Sequence, residues 1–130
     1  SLPIALAVVG AEDEEERAAI AGVFTRALQR REMRVLGPGE AAASDGDAWR
    51  LDVRREDALR GESTRESTWT IELSRPNGSR VGQTRYSNVV PRAASAESRR
   101  ALTEAAASIN ADVVGEWLES ERERSLALRR

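Results

Sequence analysis

The chain contains no cysteine and no histidine, and these two absences remove much of the chemistry that protein sites use. Without cysteine there is no disulfide and no thiolate nucleophile or ligand. Without histidine there is no imidazole ligand and no general base near neutral pH, which excludes the common serine triad. All 20 basic residues are arginine, so Schiff-base chemistry at lysine is excluded as well. We therefore expect a protein that is not an enzyme and that holds neither a metal nor a cofactor.

The charges of the chain are balanced and mixed, which argues against a polyanionic partner. The formal net charge is −2, and residues of both signs are interleaved along the sequence. No broad basic field exists to attract nucleic acid. Gly10 is followed by Ala11, Glu12 and Asp13, so the glycine-rich loop that holds a phosphate is also missing. We expect no nucleic acid partner, and nucleotide binding is disfavoured.

The length of 130 residues predicts a single α+β domain over residues 1–118, followed by a charged helical extension or tail at 119–130. No apolar run approaches the roughly 18 residues that a membrane helix needs. A targeting segment is expected to be absent or removed, because Ser1 stands next to the first predicted strand. Contact with a membrane would then require a lipid anchor upstream of Ser1.

The first part of the chain predicts a strand, a helix and a second strand. Residues 4–9 are apolar on both sides, which is typical of a strand in the middle of a covered sheet. Residues 13–31 predict a helix whose acidic first turn suits the helix dipole and, because its side chains fan outward, does not suggest a cation site. Its apolar stripe is Ile20, Val23, Phe24, Ala27 and Leu28. Residues 33–36 predict a short strand, and residues 41–47 a polar connector.

Residues 67–91 carry the strongest hairpin pattern of the chain. Trp69, Ile71 and Leu73 alternate with polar residues, which predicts a strand with one apolar face. Asn77-Gly78 predicts a type I′ turn. Gly82 predicts a bulge in the return strand, which would move Thr84 and Tyr86 to the face that Val81 occupies before it. Residues 47–54 alternate in the same way and predict the strand before this hairpin.

The segment between these two strands, residues 55–66, is longer than the roughly two to five residues that usually join strands in a hairpin. The simpler interpretation is a solvated extension of the strands, and the sharper one is a recognition tip. A hairpin does not need a connecting segment of this length, and extra length in a loop often serves binding. We therefore assign the partner-binding surface to this segment. The candidate residues are its seven charged ones: Arg55, Glu56, Asp57, Arg60, Glu62, Arg65 and Glu66.

The last part of the chain predicts a long helix over residues 95–118, capped by Ser95. Its predicted apolar side is Leu102, Ala105, Ala106, Ile109, Val113 and Trp117. Asn110 is expected at the boundary of this stripe. The predicted core on one face of the sheet consists of Trp49, Trp69, Ile71, Phe24, Leu28, Ile109 and Val113.

Four short features carry a resemblance to known proteins. They are Trp69-Thr-Ile-Glu-Leu-Ser-Arg-Pro-Asn-Gly78, Val81-Gly82-Gln83, Asn88-Val-Val-Pro91 and an alanine-rich final helix. With the order of elements, they resemble a group of uncharacterised envelope lipoproteins from alphaproteobacteria. More distantly, the layout is similar to the small domains of penicillin-binding-protein activator lipoproteins and to the amino-terminal domain of TolB. The resemblance covers nearly the whole chain, and it implies a periplasmic domain tethered to the outer membrane that binds other proteins.

We therefore predict a two-layer α+β domain in β-α-β-β-β-α order, with a mixed sheet of about five strands covered on one face by the helices 13–31 and 95–118. The predicted function is that of a non-enzymatic accessory domain, which acts through protein-protein interaction in the bacterial cell envelope. One alternative is a carrier of a small ligand or lipid in the space between sheet and helices. The other, disfavoured by the charge and the missing phosphate loop, is an intracellular nucleotide or nucleic-acid binding module.

Overall fold

The computed structural model of the chain describes residues 2–44 and 46–129. Its elements follow one another as β1 (Ile4–Val9), α1 (Glu14–Gln29), α2 (Pro38–Ala43), β2 (Trp49–Leu59), β3 (Thr64–Ser74), β4 (Arg80–Pro91) and α3 (Ala96–Leu128). The strands form one sheet in the order β1-β2-β3-β4. The first pair is parallel and the other two are antiparallel, so the sheet is mixed and the fold class is α+β, as predicted.

The sheet has four strands rather than about five, because the strand predicted at residues 33–36 is reduced to one bridge. Val35 pairs with Ile4, whose N–H donates to the Arg34 carbonyl at 2.9 Å. Glu32, with a φ of 61°, turns the chain just before this bridge. Gly37 and Pro38 then begin α2, a short helix whose second half, residues 41–43, takes the place of the start of the predicted connector 41–47. Too few extended residues remain between Glu32 and Gly37 to form a hydrogen-bonded strand ladder with β1.

β1 lies at the edge of the sheet and not in its middle, which corrects the prediction. Within its apolar run, large residues alternate with alanines as far as Val8. Ile4, Leu6 and Val8 pair in register with the residues of β2 that face the core, and they pack against that core. Alanines occupy the two positions between them, so the outer face of β1 needs no covering layer.

α1 and α3 cover one face of the sheet. α1 begins at Asp13, whose carboxylate accepts from the Glu16 N–H at 2.7 Å. The five apolar residues predicted for its stripe are the five that are buried, so this prediction is confirmed. Arg31, just beyond the end of α1, joins the two helices. It donates to the Asp112 carboxylate at 2.6 Å and to the Ser108 carbonyl at 3.0 Å.

α3 is rotated by about one residue relative to the prediction. Ile109 is 45% exposed, and Val113 is only partly buried. The buried residues of the helix are Ala106, Ala107, Asn110, Ala111 and Val114. Alanines let the helix backbone lie close to α1 and the sheet, and the larger Ile109 stays outside. The Asn110 amide, predicted at the boundary, is buried and donates to the Ala106 carbonyl at 2.8 Å.

α3 continues without a break through most of the predicted extension 119–130, as far as Leu128; residue 130 lies outside the described part of the chain. An ion pair connects this C-terminal part of α3 to the β3-β4 hairpin. Arg75, at the end of β3, donates to both carboxylate oxygens of Glu121 at 2.9 and 2.6 Å. Arg75 and Glu121 thus form a bidentate pair, the geometry that makes arginine-carboxylate pairs strong.

The hairpin between β3 and β4 is not closed by a type I′ turn. Gly78 has a φ of 94°, but Asn77 does not have the positive φ that a type I′ turn requires. The Gly78 N–H donates to the Arg75 carbonyl at 2.8 Å, and the Arg75 N–H to the Ser79 carbonyl at 2.7 Å. This is the three-residue loop in which an ordinary turn is followed by a left-handed glycine. Pro76 at the second position of the turn, with its fixed φ, favours it.

The predicted bulge is present one residue away from its predicted place. Leu73 pairs with Gly82 and Ser74 with Arg80, so Val81 is the extra residue. The shift brings Gly82, Thr84 and Tyr86 to the face of the sheet that carries the core, as the sequence predicted for Thr84 and Tyr86.

Candidate functional site

The inner face of the sheet changes from apolar to polar along its length. The pairing of β2, β3 and β4 places residues in rows across this face. In order along the sheet, these rows are Leu51, Leu73 and Gly82; Val53, Ile71 and Thr84; Arg55, Trp69 and Tyr86; and Asp57, Ser67 and Asn88. In the first two rows, all residues of β2 and β3 are buried, with at most 1% of their surface exposed. The change to polar residues begins at Arg55.

A cavity of about 770 Å³ occupies this end of the sheet. Its floor is the polar end of the sheet, and its walls are the beginnings of α1 and α3. The apolar part of the lining includes Ile20 and Val23 of α1, Val90 of β4 and Leu102 of α3. Sites for small molecules in proteins commonly have volumes of roughly 300–1,000 Å³ and combine an apolar lining with a few polar groups. The cavity has the volume of such a site, but its lining is more strongly charged, since nearly half of the residues that line it are acidic or basic.

Arg55 is held in place on the floor of the cavity. Its side chain is 19% exposed and forms an ion pair with Glu16 of α1. The guanidinium also lies over the ring of Trp69, with its central carbon 5.7 Å from the ring centroid, a cation-π geometry. The Asp57 carboxylate lies 3.7 Å from Nε of Arg55 and accepts a hydrogen bond from the Ser67 hydroxyl at 2.7 Å. The positive charge of Arg55 is thus already compensated within the fold.

Two polar side chains that line the cavity have buried atoms without a hydrogen-bond partner in the described part of the chain. One is the indole N–H of Trp69, a residue that is only 2% exposed. The other is the amide of Asn88, both its nitrogen and its oxygen. Native proteins nearly always pair such groups, because leaving one unpaired destabilises the fold. These three atoms are therefore the most unusual feature of the site.

The charges on the two walls of the cavity differ. Arg92 and Arg99 lie before and in the first turn of α3, and Glu12 and Glu15 at the start of α1. Among the ion pairs of residues 2–44 and 46–129, none includes any of these four. Arg92 donates only to a backbone carbonyl, that of Glu62, at 3.1 Å. The beginning of α1 thus contributes acidic groups to the cavity and the beginning of α3 basic ones, while Arg26, further along α1, adds a positive charge to the acidic wall.

The seven candidate residues of the sequence analysis fall into two groups. Arg55, Asp57 and Arg65 lie on the inner face and line the cavity. Glu56 and Glu66, at the alternate positions of the same strands, lie on the outer face. Arg60 and Glu62 lie in the loop 60–63, the only part of segment 55–66 outside the strands. Arg60 donates to Glu66 at 2.7 Å, and this hydrogen bond raises the pKa of Arg60.

Segment 55–66 is therefore an extension of β2 and β3, the simpler of the two predicted interpretations, and not a long tip. Asn88, Arg92 and Arg99 were not among the site residues predicted from the sequence, and Trp69 was predicted only as a core residue. A signal was present for Asn88: the bulge before Gly82 places it at an inward-facing position beside the tryptophan strand. For Arg99 no signal existed, because its position depends on how α3 crosses the sheet.

Among residues 2–44 and 46–129, no three acidic, histidine or cysteine side chains come close enough together to hold a metal ion. None of the described helices combines the length and the apolar composition needed to cross a membrane.

The sequence models of known protein families do not match this chain, and neither do the sequences of curated proteins. Solved structures with the same fold do exist. A variant of PelC from Paraburkholderia phytofirmans, a dodecamer, has a TM-score of 0.58 at 14% identity over 83% of this chain and 84% of that one. The PelC dodecamer in another space group has a TM-score of 0.53 at 17% identity over 82% and 86%.

A minor lipoprotein from Acinetobacter baumannii has a TM-score of 0.50 at 14% identity over 92% of this chain and 94% of that one. The chain therefore shares its fold with a known lipoprotein, which agrees at the level of fold with the predicted resemblance to lipoproteins. The resemblance to penicillin-binding-protein activators and TolB stays a prediction.

Proposed function

We propose that the chain is a non-enzymatic accessory domain of the bacterial cell envelope, which acts by binding other proteins of the envelope. The observation that carries the proposal is the fold, shared over most of its length with PelC and with a minor lipoprotein. The lack of histidine, cysteine and lysine in the sequence supports a non-enzymatic role. A place in the periplasm, tethered to the outer membrane by a lipid, belongs to the same proposal.

The partner surface that we propose is the end of the β2-β3 hairpin. Glu56, Arg60, Glu62 and Glu66 present both signs of charge there. Val89, which is 58% exposed and pairs with Glu66, adds apolar surface on the same outer face. An exposed apolar residue within a rim of mixed charge is the usual composition of a modest protein interface. Because the charges are exposed, the affinity should fall as the salt concentration rises.

Cell fractionation tests the location. The full gene product with an epitope tag at its carboxyl end should be recovered with the envelope of the bacterium that encodes it. It should become accessible to protease only after the outer membrane is opened. Recovery in the cytosolic fraction would overturn the proposed location.

Site-specific photocrosslinking in cells tests the surface. A photoreactive amino acid at Glu62 should form an adduct with another envelope protein, and Arg60→Glu in the same chain should reduce its yield. The matched control is the same group at Gln83, which is exposed near the other end of the sheet. Light scattering of the purified chain distinguishes a second copy from a different partner. Equal adducts from both positions, or none from position 62, would overturn this surface.

A further inference from the structure

The outer edge of β4 presents backbone groups that no strand in the described part of the chain pairs with. β4 is the last strand of the sheet, so only one of its sides is bonded to β3. The Arg92 N–H donates to the Ser63 carbonyl in the register of the two strands, and the bonds of an antiparallel pair alternate from residue to residue. The residues whose N–H and C=O groups point away from β3 are therefore Gln83, Arg85, Ser87 and Val89.

This edge lacks the features by which proteins usually protect an exposed strand, such as proline, lysine, a bulge or a short length. Between the bulge at Val81 and the end of the strand at Pro91, Arg85 is the only charged residue. The opposite edge of the sheet is partly closed, because Ile4 of β1 is bonded to residues 34–36. β4 therefore offers the longer free edge to another strand.

α3 carries an apolar stripe that the core of the chain leaves partly uncovered. The stripe consists of Ala105, Ile109 and Val113, whose spacing of four residues places them along one side of the helix. Ile109 is 45% exposed, Ala105 is exposed and Val113 is half-buried. The sequence predicted all three for the apolar side of α3, and a single copy of the chain does not cover them.

This stripe lies on the side of α3 that faces β4 and not on the side that faces α1. Trp117 continues the spacing by another four residues and lies against Gly82 of β4. On the other flank of the helix, Ser108 accepts from Arg31, which extends from the end of α1. The stripe and the free edge of β4 therefore lie along the same border of the molecule.

A two-fold axis at Tyr86 makes the edge of β4 complementary to itself. In an antiparallel pairing of two copies around this axis, the pairs are Gln83 with Val89, Arg85 with Ser87 and Tyr86 with its own copy. All four N–H and all four C=O groups of the edge are then bonded, and no like charges lie directly opposite. Moving the axis by one residue sets Arg85 opposite its own copy, or Gln83 opposite Pro91, which has no N–H.

The same axis brings the two apolar stripes together. Tyr86 is four residues from Gly82, which is about 13 Å along a strand. The same distance is about nine residues of a helix. Because α3 runs back along β4 after a short connection, counting from Trp117 places the axis within about one residue of Ile109. Ile109 of each copy would thus meet Ile109 of the other.

Charges beside the stripe complement each other across this axis. Arg99 is exposed at the beginning of α3, and Glu116 is exposed beyond the stripe. Neither side chain has an ion-pair partner within the described part of the chain. Because the two α3 helices would run antiparallel, the beginning of each lies beside the later part of the other. This arrangement brings Arg99 of one copy toward Glu116 of the second.

We propose that the chain forms a two-fold symmetric dimer through this border. The two β4 strands join the sheets into one of eight strands, four from each copy, and the two α3 helices pack on each other at Ile109. Arg60 and Glu62 of the hairpin surface proposed above are not part of the border, so either proposal can fail without the other. A photoreactive group at Gln83 would link two copies, an adduct whose mass differs from one with another envelope protein.

Sedimentation velocity of the whole chain tests the proposal, because the wild type should form a dimer. Ile109→Glu places a charge at the axis and should convert the dimer to a monomer. Arg122→Glu, at an exposed position of α3 outside the stripe, is the matched control and should leave the dimer unchanged. A wild type that is monomeric at about 100 μM, or that forms only larger species, would overturn the proposal. A dimer that Ile109→Glu leaves intact would overturn it as well.

A charge reversal tests the antiparallel arrangement of the helices. Arg99→Glu should weaken the dimer several-fold, because it then faces Glu116 of the second copy with a like charge. Adding Glu116→Arg in the same chain should restore the affinity. If the double variant dimerises as weakly as the single one, the two side chains do not meet.

Amide hydrogen exchange, followed by nuclear magnetic resonance, tests the pairing of the strands. The N–H groups of Ser87 and Val89 should exchange slowly in the dimer and rapidly in the Ile109→Glu monomer. Those of Thr84 and Tyr86, which point toward β3, should stay protected in both, which also shows that the variant is folded. Equal exchange of Ser87 in dimer and monomer would show that the copies do not join through β4.

Discussion

Gly82 of β4 and Trp117 of α3 lie so close together that no side chain fits between them. A Cβ atom at position 82 would lie 2.5 Å from Cε2 of the indole and 2.7 Å from Cζ2. The sequence indicated this glycine as the site of a bulge, but the extra residue is its neighbour Val81. The absence of a side chain at position 82 instead allows the tryptophan to pack directly on the backbone of the strand.

Replacing this glycine should therefore force the helix and the strand apart. We expect Gly82→Ala to lower the free energy of unfolding by about 1–3 kcal/mol, the usual effect of overpacking a filled site. Urea denaturation measures the change. Gly39→Ala is the control, because a Cβ atom there would meet nothing within 4 Å. A variant Gly82→Ala as stable as the control would show that the indole moves aside freely.

The left-handed backbone at Gly78 gives a second prediction. With a φ of 94°, this position disfavours every residue with a Cβ atom, and β-branched ones most. Gly78→Val should destabilise the domain by about 1–2 kcal/mol. Gly61→Val, in the β2-β3 loop and without a positive φ, should be tolerated better. Thermal melting of the two variants compares them, and equal melting temperatures would contradict the turn described above.

The ion pair between Arg75 and Glu121 predicts a dependence on pH. The hydrogen bonds from Arg75 lower the pKa of Glu121 below its ordinary value of 4.5. A carboxylate with a lowered pKa stabilises the folded state above pH 4.5, and this contribution is lost as the pH falls through the lowered pKa. Glu121→Gln should therefore melt below the wild type at neutral pH, and the difference should shrink in acid.

Glu123→Gln provides the matched control for this experiment, because Glu123 is exposed on the same helix and no ion pair of the described residues includes it. Its melting temperature should follow that of the wild type at every pH. A difference between Glu121→Gln and wild type that stays constant from neutral to acidic pH would argue against the pair as its cause.

Trp69 provides a fourth prediction, because it contributes both to the core and to the cavity floor. Its ring lies 5.6 Å from that of Phe24, centroid to centroid, and is nearly fully buried. Trp69→Ala should lower the free energy of unfolding by about 3–5 kcal/mol, which can unfold a domain of this size. Trp69→Phe keeps most of the packing and should lose much less. Denaturant unfolding compares them, and equal losses would mean that the ring does not pack as described.

The sequence predicted well those features that depend on local periodicity. The stripe of α1 is correct to the residue, because its large apolar residues, Ile20, Val23, Phe24 and Leu28, recur at helical spacing and are separated only by small or polar residues. The stripe of α3 was misplaced by one residue because its alanines give no contrast: Ala105, which is exposed, and Ala106, which is buried, are identical in sequence. Which alanine faces the sheet is decided by the close approach of the helices, a tertiary property.

The cavity could not be predicted from the sequence, because it also depends on tertiary contacts. Alternation along β2 places Arg55 and Asp57 on the inner face, but charged residues at inward positions were interpreted as the end of the strand. The strand continues because Glu16 forms an ion pair with Arg55 and the Ser67 hydroxyl donates to Asp57, so both charges have partners at their inward positions. Glu16 is on α1, and its approach to β2 is a tertiary contact that the alternation along β2 does not reveal.

The order of the strands in the sheet also has a consequence for how the protein is made. β2, β3 and β4 pair through short hairpins, so they and α3 can assemble from neighbouring parts of the chain. β1 is synthesised before β2, so it has no partner strand until β2 has been made. During that interval the apolar side chains of Ile4, Leu6 and Val8 have no sheet to pack in. Because exposed apolar segments aggregate, β1 is a vulnerable segment of the chain until β2 follows it.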